Sequence, residues 1–112
     1  MGVGIYAKRG LLGRAVRGKL PKTAKQMERH LKGIANHYRI EILLLVDKNE
    51  GITVEGIVET LRSNYTTLSS HAAKLVQAGL LEKKYKGRNV GHTLTPYGRS
   101  FVAFLRTFQH FM

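Results

Sequence analysis

The 112-residue chain contains no cysteine. Disulfides and thiolate metal sites are therefore excluded, and nothing about redox compartment follows. Acids are scarce: seven Asp and Glu stand against nineteen Lys and Arg, for a formal charge of +12 and a pI near 10.4. No apolar run approaches the roughly 20 residues of a membrane-spanning helix. No apolar stretch follows the basic amino terminus before Pro21, as a secretory signal would require. The expectation is a soluble cytoplasmic protein with no membrane partner. Also missing are a Gly-rich phosphate loop, an activated-nucleophile motif and paired carboxylates in a pocket-like context, so no catalysis is expected.

What is present is positive charge on a foldable chain. Hydrophobic residues make up 43% of the sequence, enough for one modest core in a single domain. The cationic excess costs self-repulsion in the compact state, and neutralising phosphates offsets that cost while releasing counterions. An anionic membrane, an acidic protein and a nucleic acid all fit charge alone, so the residue pattern must decide.

Residues 1–22 form a separate block, expected to be a basic amino-terminal arm ahead of a domain over 23–112. It holds Lys8, Arg9, Arg14, Arg17, Lys19 and Lys22 and no acid. Its glycines argue against a stable isolated helix, whereas Leu12, Val16 and Leu20 would make an apolar stripe if it folded onto something. A flexible tail, a DNA-contacting arm and a membrane-surface helix all remain open.

Caps and periodicity predict five helices and a hairpin. Thr23 caps a first helix to about Ala35, with Met27, Leu31 and Ile34 on one face. Asn36 caps a second over His37 to Lys48, whose run from Ile42 to Val46 is apolar all round and reads as the central core helix. Ile52-Thr53 is a short extended piece, and Thr53 caps a third helix over Val54 to Arg62. Ser63 or Asn64 caps a fourth over Tyr65 to Ala78, with Leu68, Ala72, Leu75 and Val76 as its buried face and Gly79 as its left-handed terminus. Runs from Leu80 to Lys86 and Val90 to Leu94 flank Gly87-Arg88-Asn89 as a basic hairpin. Thr95-Pro96 opens a last helix.

That helix carries Phe101, Phe104, Leu105, Phe108 and Phe111 at three- and four-residue steps. Its stripe outruns a small core, and the first helix offers Met27, Leu31 and Ile34 as a complement. A two-fold homodimer interface from these two helices is expected. A metal site on His30, His37, His92 or His110 lacks helix-spaced ligand partners, so neither metal nor cofactor is expected. His30 and His37 read as surface or cap residues.

From about Leu31 to Phe108 the chain resembles ArsR-type winged helix regulators, with the MarR type as a near cousin. The matching pieces are Tyr38-Arg39-Ile40-Glu41-Ile42-Leu43, Leu68-Ser69-Ser70-His71 with Lys74-Leu75, Ala78-Gly79-Leu80, Lys86-Gly87-Arg88, and Leu94-Thr95-Pro96-Tyr97-Gly98. Their order and spacing across roughly two thirds of the chain are more specific than any one piece. The resemblance implies a mainly α (α+β) winged helix-turn-helix with a two-stranded β wing, forming a homodimer on a near-palindromic operator. The chain departs in having Ala72 where the family often has Leu, in lacking the family's metal-sensing cysteines, and in its added basic block.

Recognition physics points the same way. A major groove about 12 Å wide admits one helix. The fourth helix shows Tyr65, Thr66, Ser69, Ser70 and Ala73 opposite its apolar stripe and has no acid from Asn64 to Ala78. Candidate DNA contacts are Asn64, Tyr65, Thr66, Thr67, Ser69 and Ser70, with Arg62 and Lys74 on phosphates and Lys84, Lys86 and Arg88 on the wing. The family motif implies that His71 approaches the DNA backbone; read by itself, His71 fits a half-buried histidine bonded within the motif equally well. The expected function is a sequence-specific, dimeric transcriptional repressor on double-stranded DNA. A non-specific architectural DNA binder and a winged-helix protein-interaction module are the competing readings.

Overall fold

A computed structural model describes residues 20–111. The basic block over 1–19 lies outside the described residues, and with it the alternatives for the arm.

The helices begin where the caps require. α1 runs Ala24–Ile34 behind a reciprocal cap: Gln26 N donates to the Thr23 hydroxyl at 3.2 Å, and Thr23 N to the Gln26 side chain at 2.8 Å. α2 (His37–Lys48) starts at Asn36, whose side-chain oxygen accepts from Tyr38 N and Arg39 N. α3 (Val54–Leu61) is capped by Thr53 and α4 (Tyr65–Gln77) by Asn64. β1 (Leu81–Lys86) and β2 (Asn89–Leu94) form one antiparallel pair, and α5 (Pro96–Gln109) follows the Thr95 cap with Pro in its first turn.

α2 is the centre, as its apolar run predicts. Ile42, Leu43 and Val46 are fully buried, and the helix packs against α3, α4, α5 and β2. Ile57, Leu68, Leu75, Leu80 and Leu81 close the core around it. Ala72 is buried on α4; Val76, expected beside it, is only half-buried.

The hairpin turn is shorter than expected. Lys86 pairs directly with Asn89, so only Gly87 and Arg88 form the loop, with Gly87 at φ +62° and no positive φ at Arg88. Glycine first in a two-residue loop is the type II′ pattern, whose twist matches the strands.

The wing is tied at its base. Gly51 N donates to His92 O at 2.8 Å and His92 N to Ile52 O at 2.9 Å. Gly91 makes this approach possible, since a Cβ there would lie 2.5 Å from the Gly51 carbonyl oxygen. His92, 2% exposed, is a core residue and not the loose metal candidate its type suggests. Its Nδ1 lies 3.2 Å from the Ile52 carbonyl oxygen, to which it donates. Burial lowers its pKa, the Ile52 carbonyl partly opposes this, and the charge of Lys83 adds to the lowering.

α5 is held at both ends of the core. Arg106 donates twice to Asp47 on α2, at 2.9 and 3.2 Å. The Tyr97 hydroxyl lies 3.0 Å from His30 Nδ1 on α1, with the rings edge-to-face. His30 is thus a half-buried tie between helices, not the surface residue expected. Burial raises the Tyr97 pKa, so the hydroxyl keeps its proton.

Two expected interface residues belong to the monomer core. Ile34 is 5% and Leu105 9% exposed within one chain, and both sit in the central cluster; Phe101 is partly buried against it. The inner rows of this helical stripe are covered within the chain.

Candidate nucleic-acid interface

The α3–turn–α4 unit sets the first half of the site. α3 ends at Arg62, whose φ of 56° and ψ of 49° place a non-glycine residue in the left-handed region. This reverses the chain within three residues and lets Asn64 cap α4 by accepting from Thr67 N at 3.0 Å. Asn64 therefore has a structural task, and Thr67 is half-buried beneath the cap.

Leu68, Ala72 and Leu75 anchor one side of α4, so Tyr65, Thr66, Ser70, Ala73 and Lys74 are exposed on the other. Tyr65 is 51% exposed at the first turn. Ser69 is half-buried, and its hydroxyl donates to Thr66 O at 3.3 Å. The exposed face therefore has short polar groups at its centre and a cation toward its end, with no acid on the helix.

The hairpin supplies the second half. A cleft of about 600 Å³ runs between α4 and the wing, lined on the helix side by Tyr65, Ser69 and Ala73 and on the wing side by Lys83, Arg88 and Asn89. Glu55, in the first turn of α3, is an acid on its wall. Lys83 was missed by sequence reasoning, although strand alternation puts it on the same side as Leu81. Lys84 and Lys86 line a separate recess with Glu50 and Gly51 behind the hairpin, and Lys84 pairs with Glu82 at 3.0 Å. Of the three expected wing cations, the structure brings Arg88 alone into the α4 cleft and adds Lys83.

His71 lies at the flank of α4. Its Nδ1 accepts from Arg39 Nε at 3.0 Å, and the Tyr38 ring stacks on it at 5.5 Å. Burial lowers its pKa first, then the charges of Arg39, Lys74 and His37. The bonded, half-buried histidine is what the monomer contains.

Among the described residues no cluster of three or more His, Asp or Glu side chains could hold a metal ion, and no helix is long and apolar enough to cross a membrane. On α1 and α5 and just beyond it, Met27, Leu31, Phe104, Phe108 and Phe111 are exposed. Leu31, Tyr97, Ser100, Phe101 and Phe104 line an apolar depression of about 300 Å³ there, and Phe104 stacks on Phe108 at 5.8 Å.

A helix-turn-helix followed by a basic two-stranded hairpin packed beside its second helix defines a winged helix-turn-helix domain. Solved structures share it. The transcriptional regulator HlyU from Vibrio vulnificus CMCP6 is 26% identical, with a TM-score of 0.61 over 75% of this chain and 95% of that one. The homodimeric winged helix-turn-helix DNA-binding domain Mb0332 from Mycobacterium bovis, a possible ArsR-family regulator, matches at 22% identity and a TM-score of 0.68 over 84% of this chain and 94% of that one. The transcriptional repressor PagR of Bacillus anthracis matches at 21% identity and a TM-score of 0.63 over 70% and 91%. The chain thus shares the winged helix-turn-helix fold of solved transcriptional regulators, one of them a possible ArsR-family member. No protein-family model and no curated protein sequence matches it.

Proposed function

We propose that this chain is a sequence-specific, double-stranded-DNA-binding transcriptional regulator, a repressor acting as a homodimer in the cytoplasm, and a binding protein with no enzymatic step. The observation that carries it is the uncovered, acid-free face of α4, with Thr66, Ser70, Ala73 and Lys74 exposed beside a wing that presents Lys83 and Arg88. α4 enters the major groove, and its hydroxyls donate or accept at base edges. Arg88, at the hairpin tip, reaches a phosphate or the narrow minor groove, where negative potential is high. Arg62 and Lys74 flank this surface and neutralise phosphates. HlyU and PagR, a regulator and a repressor by name, support the regulatory reading, and homodimeric Mb0332 supports the assembly.

The second copy covers Met27, Leu31, Phe104, Phe108 and Phe111, which a soluble monomer would leave as one apolar surface. Pairing there sets two α4 helices about one DNA turn, ~34 Å, apart. The +12 charge also favours an architectural, non-specific DNA binder. Selection of bound duplexes from a random pool separates the two readings. A regulator enriches an inverted repeat bound at least ~1000-fold more tightly than bulk DNA. An unenriched pool, bound with the same affinity as bulk DNA, would leave the architectural reading standing.

A further inference from the structure

Arg39 joins three helices through one guanidinium. Its backbone N–H is fixed by the Asn36 cap at the start of α2, its Nη1 donates to the Gly33 carbonyl in the last turn of α1, and its Nε donates to His71 Nδ1 on α4. An arginine Nε–H can only donate, so His71 Nδ1 is the acceptor and the neutral ring carries its proton on Nε2. Tyr38 stacks on the His71 ring with the planes 27° apart, and His37 lies against Tyr38 with ring centroids 4.1 Å apart, so the imidazole is held on its face and at one edge. The other edge, with Nε2, has no hydrogen-bond partner among the described residues. The basic neighbours acting on His71 are Arg39 and His37 from α2 and Lys74 from its own helix, with no carboxylate among them. Basic side chains from two helices thus surround a half-buried imidazole with no acid to balance them.

We propose that His37, Arg39, His71 and Lys74 form a backbone-phosphate anchor beside the recognition helix, in which Arg39 is the positioning residue that points the Nε2–H of His71 at a DNA phosphate. This rests on the DNA-binding reading above and adds His37 of α2 to the contact surface, with Arg39 behind it acting through His71. It also gives α1, on the exposed apolar face, a fixed link to α4: a shift at the Gly33 carbonyl moves the group that holds the phosphate.

The test uses the full chain and a random-sequence duplex of about 24 base pairs, because a phosphate contact does not depend on sequence. Arg39→Gln puts an amide N–H at the chain position of Nε, whereas Arg39→Met has similar length and no donor. Nitrogen-15 spectra of the free protein at neutral pH are expected to show the Nε2–H tautomer for His71 in wild type and Arg39→Gln, and a mixture in Arg39→Met. Affinity is expected to fall about fivefold to tenfold in Arg39→Met and less than threefold in Arg39→Gln, the net scale of one hydrogen bond. His71→Asn keeps an acceptor, Oδ1, for Arg39 and has no N–H at the position of Nε2. It is expected to weaken binding as much as Arg39→Met, leave the salt slope unchanged because no cation is lost, and show no further loss when combined with Arg39→Met. Equal losses in the Gln and Met variants, additive losses in the double variant, or an Nδ1–H tautomer in wild type would each overturn the relay. Should wild type show no salt-dependent duplex binding at all, it is the DNA-binding reading that fails. Thermal melting identifies any variant that is unfolded, and the wild-type tautomer and His71→Asn then decide.

Discussion

His92 Nδ1 lies 3.2 Å from the carbonyl oxygen of Ile52, and the same two residues are joined along the backbone by His92 N to Ile52 O at 2.9 Å. A single buried residue thus fastens the middle of β2 to the segment that leads into α3, and so fixes the wing relative to the helix-turn-helix. Burial in this 2% exposed site favours the neutral imidazole.

Stability is therefore expected to fall on mild acidification. The folded-state pKa values of His92 and His71 both lie below the ordinary value of 6.5 that the unfolded chain regains. The unfolded state then binds more protons, and the stabilisation that is full above pH 6.5 is lost as pH falls toward the folded values. Urea midpoints between pH 7.5 and 5.5 should decline, and His92→Gln, which cannot titrate, should flatten the decline. A midpoint that is constant or rises toward pH 5.5 would contradict the burial of a neutral His92.

Two glycines separate helix propensity from packing. Gly33 on α1 has nothing within 4 Å of a built Cβ, so Gly33→Ala should stabilise by up to about 1 kcal/mol. Gly98, in the first turn of α5, would drive a Cβ into the Leu80 carbonyl oxygen. There the clash with backbone, about 1–3 kcal/mol, outweighs the same propensity gain. Opposite shifts of the denaturation midpoint are expected; shifts of the same sign would show that the start of α5 does not pack on Leu80 as described.

Strand facing divides the wing cations. Lys83 and Arg88 line the α4 cleft, whereas Lys84 is paired with Glu82 on the other side. Lys83→Ala and Arg88→Ala should each weaken duplex binding and lower the salt slope by about 1, the signature of one lost phosphate contact. Lys84→Ala should change the slope less. If Lys84→Ala has the larger effect, the hairpin docks by its opposite face.

The sequence legibly marked the helix ends and less of what faces what. Thr23, Asn36, Thr53 and Thr95 each cap the helix they were expected to cap, because a cap is a local event between residues two or three apart. Gly79 adopts its left-handed φ for the same reason. His92 was invisible because an isolated histidine carries no periodicity and its partner lies 40 residues earlier. Lys83 and Lys84 alternate legibly, yet which side meets α4 is a matter of tertiary packing. Ile34 and Leu105 read as interface because an apolar stripe does not say which of its rows the monomer buries.

The exposed remainder of that stripe should control assembly. Phe104 and Phe108, 52% and 65% exposed, stack on each other away from the core. Phe104→Glu or Phe108→Glu should yield a folded 12.6 kDa monomer where wild type sediments at twice that mass. A wild-type monomer at micromolar concentration, or a variant that still dimerises, would place the two-fold contact elsewhere.

Mapping backbone amide shifts as duplex DNA is added tests most directly where the nucleic acid sits. The largest changes are expected from Thr66 to Lys74 on α4 and from Lys83 to Asn89 on the wing, with Met27, Leu31 and Phe108 little affected. Changes concentrated on α1 and the end of α5, with α4 silent at saturation, would contradict insertion of α4 into the major groove.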